Sequence, residues 1–301
     1  MKHIDNNTTL LTKRDLHVFE QELAKVVADF CRKYRKTGAH ELAREFLSEQ
    51  RAREQLDLIK EFYAESLQNK RLLEIGSGYG MFLLVAHELE GANVYGIEPA
   101  HDEYMSFHIA RRILESRGMD AECIVDAVGE NIPFESNYFD IVYSSNVLEH
   151  VNNPPLVLQE AYRVLKPGGI MIFVVPNFNS FWEGHYSIPW LPIFNLLPLG
   201  RLYVRVLGRD PAFLDTLQFV TPAKMDKWLS FKGEAPVILS NGKDLWARRM
   251  RSADFSSWGG LSVLKKIVAA LKKLHLTELT IKAGYMMNIH TPIVLVVRKP
   301  E

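Results

Sequence analysis

Cysteine is almost missing: 301 residues carry only Cys31 and Cys123, far apart and without C-x-x-C spacing or a neighbouring histidine pair. That excludes a disulfide framework and a cysteine-built zinc site, so both read as structural thiols and no metal is expected. Excess charge is missing too, because 36 basic residues balance 36 acidic ones. Without a global positive field, no nucleic-acid partner is expected, and an anionic partner would need a local patch. Long hydrophobic runs are also missing. None approaches the roughly 18 apolar residues of a membrane span, and residues 1–11 lack the apolar core of a secretory leader, so a cytoplasmic location is expected. What is present is an ordinary balance, 47% hydrophobic and 24% charged, sufficient for one large α/β domain with additions.

Residues 13–36 and 40–68 place apolar side chains at helical spacing, for example Leu16, Phe19, Leu23, Val26, Val27 and Phe30, which predicts two helices split near Gly38 and covering one end of a sheet. From Arg71 the pattern alternates. Strands are expected over 71–75, 93–97, 122–126, 139–144 and 170–175, with helices over 81–89, 101–117 and 156–165. Such βαβ repetition predicts a parallel sheet with helices on both faces and ligands beyond the carboxyl ends of the strands.

The first of those ends is Leu72-Leu73-Glu74-Ile75-Gly76-Ser77-Gly78-Tyr79-Gly80-Met81. Glycines at alternate positions allow a tight turn and leave no Cβ between main chain and a nucleotide-sized ligand. A dinucleotide fingerprint, G-x-G-x-x-G, needs its third glycine where Met81 stands. The second strand ends in Glu98, about 20 residues after the loop, where a carboxylate can accept hydrogen bonds from both hydroxyls of a ribose.

The E-x-G-x-G-x-G pattern resembles motif I of the class I S-adenosylmethionine (SAM)-dependent methyltransferases. Three further blocks resemble that family in the same order: Asp126-Ala127 through Pro133-Phe134, Phe139-Asp140 through Leu148-Glu149-His150-Val151, and Glu160 with Arg163-Val164-Leu165-Lys166-Pro167-Gly168-Gly169. Together they span 71–176, about a third of the chain, and point to the ubiquinone/menaquinone-type small-molecule group. The resemblance implies a Rossmann-like seven-stranded sheet and SAM as cofactor. It sets Glu74, Gly76, Ser77, Gly78 and Gly80 beside the methionine moiety, Glu98 at the ribose and Asn146 toward the sulfonium. The adenine falls to Asp126 and Ala127, or in the other register to the main chain around Val128 and Gly129. A SAM-binding regulatory module without catalysis, and an NAD-dependent oxidoreductase, are the rivals.

On this basis the chain divides into a helical extension (1–70), a SAM-binding core (71–176), an inserted lid and substrate region (177–276), and C-terminal strands (277–301) that complete the sheet, with the last strand over 291–298 and 277–282 paired beside it. The insertion is dense in aromatics, and Trp182, Tyr186 and Trp190 are substrate candidates. His185 is the candidate base, since an imidazole can take a proton from an acceptor hydroxyl at neutral pH, with Glu183 or Tyr186 to orient it; His150 is the second candidate. Asn153-Pro154-Pro155-Leu156 is similar to an N-methyltransferase motif but lacks the aromatic fourth residue and reads as a helix start. A basic amphipathic helix over 261–274 suggests peripheral contact with the inner membrane surface. With the aromatic lid, it suggests a small-molecule acceptor that is lipid-like, quinone-like or carried on a lipid-linked glycan.

Overall fold

The computed structural model describes residues 10–101, 103–229, 236–252 and 262–301. Residues 1–9 of the leader stretch and of the predicted extension, and Leu261 of the basic helix, lie outside the described residues, as do the side chains of Leu264 and Lys265.

Seven strands form one sheet in the order β3-β2-β1-β4-β5-β9-β8. The first five, β1 (Arg71–Ile75), β2 (Asn93–Glu98), β3 (Ile124–Asp126), β4 (Phe139–Ser145) and β5 (Leu165–Val175), pair in parallel. The runs Leu72-Leu73 and Ile141-Val142-Tyr143 are buried on both faces, as an all-parallel centre requires. Residues 182–189 add a small hairpin, β6 (Trp182–Glu183) with β7 (Ile188–Pro189). β8 (Val237–Ser240) and β9 (Ile293–Arg298) close the sheet, each antiparallel to its neighbour. Strand order reverses between β1 and β4, which opens the crevice where such sheets bind ligands.

Two apolar cores lie on the two faces. One joins the sheet to α1 (Lys13–Val26), α3 (Ala39–Phe46), α4 (Glu49–Phe62), α5 (Met81–Glu90) and α6 (Ser106–Ser116). The short α2 (Ala28–Phe30) runs on into a π-turn (Cys31–Arg35). The other core joins the sheet to α7 (Pro154–Val164), the hairpin, α8 (Leu197–Val206) and α9 (Pro222–Trp228). A third, small cluster gathers α10 (Lys243–Ser252), α11 (Ser262–Lys273) and α12 (Thr277–Met286) around Trp246, Val268 and Ile281.

The structure departs from expectation at several places: the first predicted helix ends at Val26 and gives way to α2 and the π-turn, and the helix expected over 101–117 begins at Ser106. The second predicted N-terminal helix is broken at Ser48, whose Oγ accepts the Arg51 N–H at 3.3 Å and caps α4. β3 starts at Ile124, because Asp120 caps a single 3-10 turn over Ala121–Cys123. The stretch 277–282 is helix rather than strand: its buried residues, Ile281 and Gly284, are three apart on one helical face, and Trp246 packs so close to Gly284 that a Cβ there would lie 2.3 Å from its ring. The strand expected from 277–282 comes instead from β8, inside 177–276, so that segment is not purely lid. The proline pair of Asn153-Pro154-Pro155 opens α7, with the Asn153 side chain accepting the Leu156 N–H.

Candidate functional site

The glycine loop leaves β1 with Gly76, Gly78 and Gly80 at φ of 72°, 51° and 74°, the left-handed region that glycine adopts freely. Their surroundings differ. A Cβ on Gly76 would lie 2.3 Å from Val147 Cγ2 and one on Gly80 3.3 Å from Ala110 Cβ, whereas one on Gly78 would meet nothing within 4 Å. Packing thus requires glycine at position 76 and crowds position 80, whereas Gly78 faces open space. The loop is tied to β2: Gly76 and Ser77 donate their N–H groups to the Ile97 carbonyl at 2.9 and 3.1 Å, and the Gly78 N–H donates to Glu98 Oε2 at 2.9 Å. The other Glu98 oxygen accepts the Ser106 hydroxyl at 2.6 Å.

Two buried polar atoms at the loop have no hydrogen-bond partner, Glu74 Oε2 and Ser77 Oγ. Burial, and secondarily the Glu98 charge, push the Glu74 carboxyl well above its ordinary range. Asp126 stands beside Glu98 in register and accepts the Ala100 N–H at 2.8 Å; Ala127 follows it, half-buried. The Val128 side chain points outward, and Gly129 is packed against Val157 and Ile75. Asn146 follows β4 in a left-handed conformation (φ 56°), its N–H donating to the Val174 carbonyl at 2.8 Å.

One turn beyond Asn146, the chain presents Glu149 and His150, and the hairpin brings His185 against them. Their Nε2 atoms lie 3.1 Å apart. His185 Nδ1 is 2.6 Å from Glu183 Oε1, and Glu183 Oε2 accepts the Tyr186 N–H at 2.7 Å, so of the two candidate orienting groups it is Glu183 that holds the ring. Burial works against charge on His185, but the adjoining Glu183 carboxylate outweighs it and holds the imidazole above its ordinary range. Glu183 is correspondingly held low, because the His185 charge and hydrogen bonds overcome its burial. Desolvation of the inward-facing part of its ring, then the His185 charge, push His150 down to about 3, although the side chain keeps an exposed edge. Glu149 is fully buried with both oxygens unpartnered, and burial pushes its carboxyl up to about 7.

The aromatic candidates separate. Trp182 is half-buried in the hairpin. Tyr186 and Trp190 are buried and their polar atoms are used, the Tyr186 hydroxyl donating to the Asp210 carbonyl at 2.7 Å and the Trp190 N–H to Asn195 Oδ1 at 2.9 Å. Contrary to expectation, these two offer no face to an acceptor; they hold the hairpin that carries His185. Phe213 packs against the rings of His150, His185 and Tyr34, and Arg35 donates to Ser187 Oγ at 3.2 Å. Nothing in the local sequence around Tyr34, Arg35 or Phe213 signals this, because the contacts bridge distant segments.

Residues 73–173 match the family model for a methyltransferase domain. The chain is 26% identical over 167 residues to the ubiquinone biosynthesis O-methyltransferase of Pectobacterium atrosepticum, covering 55% of this chain and 62% of that one. It is 31% identical over 197 residues to an uncharacterized methyltransferase of Mycobacterium tuberculosis, covering 64% and 73%. Alignments to other mycobacterial relatives span about half of their length, such as 48% for one from Mycobacterium avium. Among solved structures, it is similar to phosphoethanolamine N-methyltransferase 2 of Haemonchus contortus with S-adenosyl-L-methionine, at 18% identity and a TM-score of 0.46, covering 83% of this chain and 53% of that one. With the E-x-G-x-G-x-G loop on the first strand of a seven-stranded sheet and a relative aligned at 31% identity over 73% of its length, the chain belongs to the class I SAM-dependent methyltransferase family.

Proposed function

We propose that this chain transfers the methyl group of SAM to a small-molecule acceptor of lipid-like character, and that the acceptor lies between Asn146 and the His150–His185 pair. The observation that carries the cofactor half is Gly78. Gly76 is explained by packing and Gly80 is crowded by Ala110, while Gly78 keeps a side chain out of space with no protein atom within 4 Å. The residues around it fit SAM. Glu74 and Ser77 supply unpartnered buried oxygens for the methionine moiety. Glu98, tied to the loop through the Gly78 N–H and to Ser106, ends the second strand where a carboxylate can accept from ribose hydroxyls. Asp126 and Ala127, next in register, would border the adenine.

SAM supplies a methyl group already activated on a sulfonium, so the chain's task is to hold the acceptor in line and exclude water. His185, fixed through Nδ1 by Glu183, is the acceptor-activating residue, and His150, whose imidazole stays neutral, positions it through the Nε2 pair, with Trp182 on the same hairpin. The lipid-like character is supported by α8, which leaves Leu199, Leu202 and Val206 exposed along one face, continuing from Ile193 and Leu196, with Arg201 and Arg205 between them. That stripe suits peripheral contact with an anionic membrane from the cytoplasm. Among the described residues no helix is long and apolar enough to cross a membrane. Among the described side chains of α11, Val268 and Leu271 pack inward and Ile267 is exposed, with Leu274 exposed just past its end, so α8 is the better candidate surface.

The test is His185→Ala, assayed with a panel of quinone, lipid and glycan-linked acceptors. Turnover should fall by about 100-fold or more, as for loss of a positioned acid-base group, while affinity for S-adenosylhomocysteine stays unchanged. Full turnover in the variant would remove His185 from the chemistry.

A further inference from the structure

Glu149 is the least explained group in the molecule. It is fully buried, both of its carboxylate oxygens lack a hydrogen-bond partner, and a buried carboxylate without a donor, proton or cation beside it is costly. The main chain keeps it in place, because its own carbonyl accepts the Gln218 N–H at 2.7 Å. Its Oε1 is 3.9 Å from His150 Nε2, and one ligand atom from each of Glu149, His150 and His185 falls within 4.8 Å of the others.

We propose that Glu149, His150 and His185 form a binding site for one divalent transition-metal ion. The spacing of the imidazoles suits it. Two nitrogens bound to a zinc-like ion at about 2.0–2.1 Å stand about 3.4 Å apart in a tetrahedral site and about 2.9 Å apart at an octahedral right angle, and the two Nε2 atoms stand at 3.1 Å. A proton shared between the rings and an ion bound to both are alternative occupants of one position; binding displaces that proton to solvent. Glu149 stands farther off, its Oε1 3.9 Å from His150 Nε2, and must move toward the ion by about 1 Å or more to join them. Two imidazoles and one carboxylate favour zinc, cobalt, iron(II) or manganese over calcium or magnesium, which prefer all-oxygen shells. The outer shell is in place as well: Glu183 receives His185 Nδ1, the carboxylate–histidine arrangement that orients an imidazole ligand and raises its basicity.

Three protein ligands leave coordination positions open, and the His150 side chain is 37% exposed, so a water or an acceptor oxygen can reach the ion. Use of the ion to bind an acceptor heteroatom rests on the methyltransferase reading; the ion site itself does not.

The experiment uses the full chain, stripped with a chelator and titrated separately with Zn2+, Co2+ and Mn2+ by calorimetry, with visible absorption recorded for Co2+. S-adenosylhomocysteine is titrated in parallel. One equivalent of Zn2+ or Co2+ should bind. Glu183→Gln should weaken that binding by about 10- to 100-fold, and His150→Ala, His185→Ala and Glu149→Gln by more, with homocysteine-cofactor affinity retained in all four. Should Glu149→Gln fail to fold, the half-exposed His150→Ala still decides. No saturable binding by the wild type, or binding unchanged in His150→Ala and His185→Ala, overturns the site. Metal binding without S-adenosylhomocysteine binding would overturn the methyltransferase reading and leave the ion site standing.

Discussion

Gly76 and Gly78 share a left-handed backbone and are separated by what a side chain would meet. At Gly76 a methyl group would enter Val147, adding an overpacking cost of about 1–3 kcal/mol to the conformational one. At Gly78 only the left-handed penalty of about 1–2 kcal/mol applies. Gly76→Ala should therefore lower the urea midpoint strongly, while Gly78→Val stays folded by circular dichroism and loses S-adenosylhomocysteine binding. Retained binding in Gly78→Val would move the cofactor away from this loop. Glu74 gives a second residue-scale prediction. Its folded-state carboxyl titrates well above the ordinary 4.5, so the native chain holds a proton that the unfolded chain releases. The associated stability is whole below pH 4.5 and is lost as pH rises through the folded value. Glu74→Gln cannot ionise, so stability of the cofactor-free chain should fall less steeply than wild type as pH is raised above about 5. Equal slopes in urea titrations would show that Glu74 is ionised in the fold. The glycine turn and the place of Glu98 beside it were legible in sequence because a tight turn at the end of a parallel strand leaves few backbone alternatives. The burial of Tyr186 and Trp190 was not, since an aromatic that packs and an aromatic that lines a pocket look alike until their neighbours are known.

At the scale of elements, continuous apolar runs located β1, β4 and β9 within a residue or two, because strands buried on both faces carry a strong signal. β8 carried almost none. It is four residues long, its Val237 and Ile238 are about half exposed, and it is held by main-chain pairing to β9. The 277–282 stretch was misassigned because its residues fit a short strand as well as a helix; Trp246 against Gly284 decides for the helix. α8 has a different character. Gly200 and Val204 face the core, while Leu199 and Leu202 face outward. Leu199→Ser with Leu202→Ser should change stability by only about 0.5 kcal/mol per site and markedly reduce co-sedimentation with anionic lipid vesicles. Undiminished vesicle binding, or none by the wild type, would separate this helix from any membrane contact.

The whole molecule sets a SAM-family core beneath two additions that meet over one end of the sheet. From the N-terminal side, the Phe46 ring packs at a tilt against Tyr79 of the glycine loop, and Tyr34 packs on Tyr186 and Phe213. From the insertion, the hairpin delivers His185 to His150. The core was legible because four motif blocks recur in order; the junction was not, because contacts such as Arg35 to Ser187 span more than a hundred residues. The proposed SAM site rests on Gly78 and Glu98, beside this junction. Calorimetric titration with S-adenosylhomocysteine, with NADH as the control and Glu98→Ala as the comparison, tests it most directly. Wild type should bind S-adenosylhomocysteine in the micromolar range and not NADH, and Glu98→Ala should weaken that binding by about 1–3 kcal/mol. Binding of NADH in its place, or no binding of S-adenosylhomocysteine, would contradict the account.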